Sequence, residues 1–222
     1  VAIVTGGNKG IGLGITKALV ENNYKVIIGG RSDIPEKICI EDVYYIKGDL
    51  TDYASHCNLV EKAIDLYGKL DLYVNNVGIS EWKSIENIDS QFLDKLIKTN
   101  LYSAFWGCKA SSKYINEKGS IINISSIAGK RGSPNNSVYV ATKFAMNGMT
   151  QSLAKELGKK NIRVNAICPV LIKTKGLVNA LMHSESPLNT NVDIFLQEFK
   201  KTQTALDRLP TVNEVAQMVV FL

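Results

Sequence analysis

Val1-Ala-Ile-Val-Thr5-Gly6-Gly7-Asn8-Lys9-Gly10-Ile11-Gly12-Leu13-Gly14-Ile15-Thr-Lys-Ala-Leu-Val20 opens the chain, and its order of apolar run, glycine turn and helical pattern decides the fold class. Val1–Thr5 is continuously apolar, as a parallel strand covered on both faces requires. The glycines permit a tight turn and close backbone approach. The helix that starts behind them presents unbonded N–H groups and the positive end of its dipole, which favours a pyrophosphate. A phosphate loop of the Gly-Lys-Ser/Thr kind is excluded, because no such triplet follows at the required spacing. Gly10-Ile-Gly12-Leu-Gly14 also fits the glycine spacing of nucleoside-binding methyltransferases, which stays open on this stretch alone.

Working outward, strands and helical patterns alternate. Lys25–Gly30 and Val43–Lys47 read as the second and third strands, Leu72–Asn75 as the fourth, Ser120–Ser125 as the fifth and Ile162–Cys168 as the sixth. Between them, Asp52 or Ser55 caps a helical pattern to Tyr67. A long amphipathic pattern runs from Phe92 to about Tyr114 with Asn100 in its buried region. Another opens near Ser137 and continues to Gly158, a candidate C′ residue. The alternation predicts one α/β domain over residues 1–222: a single doubly wound parallel sheet of Rossmann type with helices on both faces. Only eleven residues separate Arg31 from Val43, short for a parallel crossover, so a single turn or an extended strap is expected there. Residues 175–209 are mixed and polar and read as a helical lid insertion. Thr211 and Glu214 have capping-box spacing for a last helix.

In doubly wound sheets ligands bind beyond the carboxyl ends of the strands. Gly6–Gly12, Arg31, Asp49, Asn76, Ser126 and Pro169 all fall at such ends. An acid at the end of the second strand would grip a ribose 2′-hydroxyl, whereas Arg31 suits a 2′-phosphate, with Lys9 able to reach the same group. NADP(H) is therefore expected over NAD(H). The same two cations are wrong for the methyltransferase, which wants acids there. Beyond the fifth strand, Ser126 precedes a loop, and Tyr139 and Lys143 follow four residues apart on one helix face. A hydroxyl, a phenol and an ammonium converging there would suit proton transfer.

The remaining composition mostly excludes. The 222 residues carry a net charge of +5 from 26 basic and 21 acidic side chains, with no clustered basic patch, so no nucleic-acid partner is expected. No apolar run reaches membrane-spanning length. The four cysteines, at 39, 57, 108 and 168, and the two histidines lack metal-ligand spacing, so free thiols, no metal site and a cytoplasmic location are expected. His56 and His183 are both expected to be solvated. Both ends read as cut, since the chain starts in a strand without Met and stops in an apolar helical pattern.

Over essentially its whole length the chain resembles the short-chain dehydrogenase/reductase family. Thr5-Gly6-Gly7-Asn8-Lys9-Gly10-Ile11-Gly12 matches its T-G-x-x-x-G-x-G turn, and Asn75-Asn76-Val77-Gly78 its N-N-A-G with Val for Ala. Asn100, Ser126, Tyr139 and Lys143 match the Asn–Ser–Tyr-x-x-x-Lys tetrad. Ser126 is distinguished from Ser125 by its thirteen-residue spacing to the tyrosine. The resemblance implies that Asp49 and Leu50 lie against adenine, that Asn76 and Gly78 line the ribose, and that Ile172 and Thr174, after Pro169, meet the nicotinamide carboxamide. It also implies a homo-oligomer, dimer or tetramer, formed through the two long helices. Pro169-Val170 departs from the family's Pro-Gly, and the family's final strand is expected beyond Leu222.

The implied activity is hydride transfer between NADP(H) and a carbonyl or secondary alcohol, with Tyr139 as general acid/base. Ser126 would hold the substrate oxygen, and Asn100 a water leading to Lys143. Lowering a phenol from about 10 to neutrality takes ~4 kcal/mol, which Lys143 and an oxidised nicotinamide are expected to supply. A nucleotide-sensing protein on the same fold is the rival, though it would be expected to have lost Tyr139 or Lys143. A 3-oxoacyl thioester, a sugar and a small ketone are all open as substrate.

Overall fold

The computed structural model of the protein describes residues 1–32, 42–188 and 191–222. Six parallel strands form one sheet in the order β3-β2-β1-β4-β5-β6, that of a doubly wound dinucleotide fold. They are β1 (Ala2–Thr5), β2 (Val26–Gly30), β3 (Val43–Lys47), β4 (Leu70–Asn75), β5 (Ile115–Ile124) and β6 (Arg163–Ile167). The helices are α1 (Gly10–Glu21), α2 (Tyr53–Tyr67), α3 (Ser90–Ile97), α4 (Ser103–Ser111), α5 (Ser137–Gly158), α6 (Lys175–Leu181), α7 (Val192–Gln203) and α8 (Val212–Phe221).

Alternation along the strands divides the core between the two sheet faces. Ile3, Ile27, Tyr73, Ile121 and Val164 pack with Leu59, Val60 and Leu157 of α2 and α5. Their neighbours Val4, Ile28, Val74 and Ile122 pack on the other face with Ile15 and Leu19 of α1 and Ala216 and Val219 of α8. A strand buried on both faces leaves no room for a polar alternate position, which is why β1 up to Val4 and the whole of β2 carry no polar side chain. Val26↔Val43 through Gly30↔Lys47 pair in parallel register, so the short crossover does join parallel neighbours. Its expected turn or strap falls on 33–41, outside the described residues, as does Cys39.

Four local expectations need correction. The pattern from Phe92 to Tyr114 is not one regular helix: a π-turn over Lys98–Tyr102 separates α3 from α4, and the helix ends at Ser111. Single π-turns are inserted where a side chain has another obligation, and here Asn100 lies in that turn. Gly158 is the last residue of α5 rather than its C′ residue; Asn161 takes the left-handed conformation at φ 59° instead, as asparagine tolerates. Asp52 precedes α2 but makes no side-chain cap bond. His56 is buried, not solvated: its Nδ1 is 2.7 Å from the Tyr73 hydroxyl and its Nε2 2.9 Å from the Leu50 carbonyl. With both ring nitrogens occupied it crosslinks the end of β3 to β4, and burial pushes its pKa down. His183 is exposed.

Thr211 accepts from the Glu214 N–H and Glu214 reaches back to the Thr211 N–H, completing the capping box of α8. The 175–209 segment contains α6 and α7, which share a small core of Ala180, Leu181 and Leu196 with Trp82. No helix among the described residues is long and apolar enough to cross a membrane.

Candidate active site

The carboxyl ends of β1, β4, β5 and β6 open into a cleft of about 1040 Å³. At the β1 end the glycine turn is held from behind. Gly6 has φ +64°, and a Cβ on Gly12 would lie 2.2 Å from the Gly6 carbonyl oxygen, so only glycine permits the turn to close onto α1. Thr5 Oγ1 accepts from the Asn76 and Val77 N–H groups, while Asn76 Nδ2 donates to the carbonyls of Thr5 and Gly6. Asn76 is therefore an internal tie between β1 and β4 as well as a cleft residue. Asn8 is buried and donates to Ser32, fixing the turn to the end of β2.

The start of α1 has no side-chain cap and no acid in its first turn. Its N–H groups and dipole are thus left for an anion. Lys9 and Arg31 are exposed, and neither takes part in an ion pair among the described residues. Lys9 and Ile11 line the cleft; Arg31, Asp49 and Leu50 lie outside its lining. Asp49 accepts from the Thr51 N–H at the surface. Leu50 turns its side chain into the core, 4% exposed, so any ligand contact it makes is through its backbone.

The other end of the cleft is lined by Ser126, Tyr139 and Lys143, while Asn100 lies behind its wall, fully buried. Ser126 lies two residues beyond β5 and caps a short 3-10 turn, its side chain accepting from the Ala128 N–H. Ser126 also favours the ionised form of the Tyr139 phenol. Ser125 instead donates to the Lys143 carbonyl, so the two adjacent serines have different duties. Lys143, 4% exposed, donates from Nζ to the Ile124 carbonyl at 2.9 Å and stands 5.7 Å from the Tyr139 ring centre.

Asn100 is fully buried and meets the main chain of Ile79 in both directions. Oδ1 accepts from the Ile79 N–H at 2.8 Å, and Nδ2 donates to the Ile79 carbonyl at 2.9 Å and to Thr142. A side chain begun at Gly78 would start 3.3 Å from Asn100 Oδ1 and 3.6 Å from Lys143 Nζ, so both groups flank that glycine. Pro169 accepts from the Ile127 N–H, which joins the end of β6 to the serine turn. Ile172 and Thr174 line the cleft, and Thr174 also caps α6.

The electrostatics differ from expectation at Tyr139. Burial pushes its phenol up, and Ser126 opposes this. The ammonium is committed to the Ile124 carbonyl instead of the phenol oxygen. Burial lowers Lys143 itself to about 8.

Ile79 and Thr142, the partners of Asn100, escaped the sequence reading. The only available signal was the rule that a buried amide must be bonded, which says that partners exist but not where. Thr5, known only as the first letter of a motif, proves to be the joint between two strand ends.

The family model for short chain dehydrogenase matches residues 1–184. The chain is 36% identical to a 3-alpha-(or 20-beta)-hydroxysteroid dehydrogenase of Mycobacterium bovis over 100% of its own length and 81% of the relative's. It is 34% identical to a 3-oxoacyl-[acyl-carrier-protein] reductase of Chlamydia pneumoniae, covering 99% and 88% respectively. Among solved structures it is similar to ElxO with NADP bound, with a TM-score of 0.85, 29% identity, and coverage of 100% of this chain and 90% of that one. On the match of the family model over residues 1–184 and of these relatives, with the six-stranded parallel sheet in agreement, the chain belongs to the short-chain dehydrogenase/reductase family of NAD(P)(H)-using oxidoreductases.

Proposed function

We propose that the protein is an NADP(H)-dependent oxidoreductase that interconverts a carbonyl and a secondary alcohol, with Tyr139 as general acid/base. The observation that carries this reading is one cleft with Lys9 and the open start of α1 at one end and Ser126, Tyr139 and Lys143 at the other. The residues present fit the nucleotide: an uncapped helix start behind a glycine turn suits its pyrophosphate, and two cations that form no ion pair among the described residues suit a 2′-phosphate.

In this reading Gly6, Asn8, Lys9, Gly10, Ile11 and Gly12 cradle the pyrophosphate side, with Arg31 on the 2′-phosphate. Asp49 and the Leu50 backbone face adenine, and Asn76 and Gly78 the ribose. Pro169, Ile172 and Thr174 hold the nicotinamide, beside Tyr139 and Lys143. When bound, NADPH supplies the hydride for the carbonyl carbon. Ser126 donates a hydrogen bond to the substrate oxygen, and Tyr139 delivers the proton that completes the alcohol.

A phenol raised by burial is a reservoir of that proton in the free protein. Its ionisation in the oxidative direction then depends on positive charge brought by the oxidised nucleotide. Lys143, at about 8, exchanges protons near neutral pH, and one water beside Gly78 would connect it to Asn100. The helical 175–209 segment acts as the lid. A homo-oligomer fits the outer faces of α3 to α5, where Leu93, Tyr102, Phe105 and Phe144 are exposed. Relatives that act on a hydroxysteroid and on a 3-oxoacyl thioester match about equally well, and the choice among 3-oxoacyl thioester, sugar and small ketone is left to assay.

The direct test is a fluorescence titration of the purified protein with NADPH and with NADH. Binding of NADPH at least about tenfold tighter is expected, the size of one good charge-assisted contact. Equal affinities would overturn the assignment of Lys9 and Arg31.

A further inference from the structure

Three separate segments wall the substrate end of the cleft, and one residue touches all three. The first wall contains Ser80, Glu81 and Trp82, the second Ser133–Asn136, and the third the turn after α6 that includes His183 and Pro187. Glu185 belongs to that turn. Its Oε2 accepts from the Ser84 N–H at 2.7 Å, and Asn87 Nδ2 is 3.3 Å from both carboxylate oxygens. Its main-chain carbonyl accepts from Asn135 Nδ2 at 3.2 Å, and the Asn135 carbonyl in turn accepts from the Lys83 N–H at 2.7 Å. The three segments thus close a ring of hydrogen bonds around Glu185 and Asn135.

That ring is joined to the chemistry by chain connectivity. Asn136 is the N-cap of α5, and Tyr139 lies in the first turn of the same helix. Asn135 itself is left-handed at φ 55°, a conformation asparagine accepts with little strain. The carboxylate of Glu185 is held below its ordinary pKa chiefly by the Ser84 N–H, as expected of a charge that accepts a main-chain donor.

We infer that Glu185 is a substrate-positioning residue, clasping the 82–87 and 133–136 loops to the helical cap so that a bulky carbonyl substrate is held against Ser126 and Tyr139. This rests on the oxidoreductase reading, because it assigns the substrate end of the same cleft. Glu185 does not line the cleft and is not a catalytic residue; it acts through Asn135 and through Ser84 and Asn87, on the segment that follows Trp82. The class of substrate that should feel it is one with a large apolar group beyond the reacting carbonyl, since that group would meet the Trp82 wall. A compact diketone would not reach so far.

The experiment compares the wild type with Glu185→Ala, Glu185→Gln and Asn135→Gly, the last keeping the left-handed backbone while removing the bond to the Glu185 carbonyl. Two probes are used at saturating NADPH, ethyl benzoylacetate as the large carbonyl and 2,3-butanedione as the small one. Amide hydrogen exchange at Ser84 is followed in parallel. Glu185→Ala is expected to accelerate Ser84 exchange by at least 100-fold. It should raise KM for ethyl benzoylacetate about tenfold with kcat within twofold, and leave KM for 2,3-butanedione and the affinity for NADPH within twofold. Glu185→Gln, which retains an acceptor, should fall between wild type and Glu185→Ala, and Asn135→Gly should raise the same KM.

Faster Ser84 exchange with unchanged KM for both probes would overturn the proposal, leaving the clasp a merely structural tie. An equal rise of KM for both probes would overturn it too. NADPH binding by the wild type, scored separately, tests the oxidoreductase reading itself, and the exchange measurement on the free protein does not depend on it.

Discussion

At the tetrad end of the cleft Lys143 and Asn100 are buried and bonded to their surroundings, with Ser126 and Tyr139 half-buried; at the nucleotide end Lys9 and Arg31 stand in water. Lys143 is 4% exposed and Asn100 not at all, and each has its hydrogen bonds made before any ligand arrives. Lys9 and Arg31 are exposed and form no ion pair among the described residues. The difference teaches where each end's energy is spent. A buried ammonium is disfavoured by lost hydration in the free protein, so the fold itself bears the cost of pre-arranging the proton-handling groups. Exposed cations cost the fold almost nothing and act only when an anion comes. Loss of Lys143 or Tyr139 should therefore remove turnover, and loss of an exposed cation should change only which nucleotide is preferred.

The largest effect expected from breaking this contrast is at Lys143. Lys143→Met should lower kcat by on the order of 10³, within the usual range for a lost proton-handling group, yet stabilise the protein at neutral pH. The sign follows from the shift. The folded-state pKa is about 8 against an ordinary 10.5, so from about pH 8 to 10.5 the unfolded chain holds more protons. Wild-type stability then rises with pH through that window, and below it the full burial cost, up to about 3 kcal/mol, is present. Urea unfolding at pH 7 and pH 10.5 should show the variant's advantage shrinking at the higher pH. The orphaned Ile124 carbonyl takes back part of that advantage. No gain at pH 7 would mean that the buried ammonium is already compensated.

A smaller effect is expected at the other end. Arg31→Asp should reduce the NADPH-over-NADH preference at least about tenfold while leaving kcat with NADPH within a few-fold, since the charge touches only the remote phosphate. Initial rates with both nucleotides check this. Smaller again is the change from Asn100→Ala. Removing the amide strands the Ile79 N–H and carbonyl and should cost about 2 kcal/mol, read as a fall of roughly 5 °C in Tm for a chain of this size. An unchanged Tm would mean that water replaces the amide, and that Asn100 serves the chemistry more than the fold.

The sequence carried the fold because its signals were local: an apolar run, a glycine turn and a 3.6-residue period each report on a few neighbouring residues. The six strands and their parallel, doubly wound arrangement followed from them, whereas the strand order came from the structure. The tetrad was legible for a related reason, since the Tyr139 and Lys143 spacing is one helical turn and Ser126 lies at a strand end. What sequence could not deliver were pairings across long chain distances. His56 looked like a solvated polar residue because nothing in its own helix announces Tyr73, 17 residues on, as its partner. The π-turn at Asn100 was hidden because its cause is the Ile79 main chain, 21 residues earlier. The Tyr139 phenol was expected to be lowered by Lys143 together with an oxidised nicotinamide, and nothing in the sequence signalled that Lys143 Nζ would bond the Ile124 carbonyl, an acceptor that belongs to another element. The clasp of Glu185 spans 101 residues to Ser84, in a stretch whose composition read only as mixed and polar.

The central claim is that Tyr139 handles the proton while the rest of the cleft holds the nucleotide. Its most direct measurement is the pair of values for Tyr139→Phe: NADPH affinity by titration, and the rate of NADPH consumption with a carbonyl panel. The account predicts an affinity within about threefold of wild type and turnover lower by about 10³ or more. Turnover within tenfold of wild type would contradict it, because some other group would then be supplying the proton.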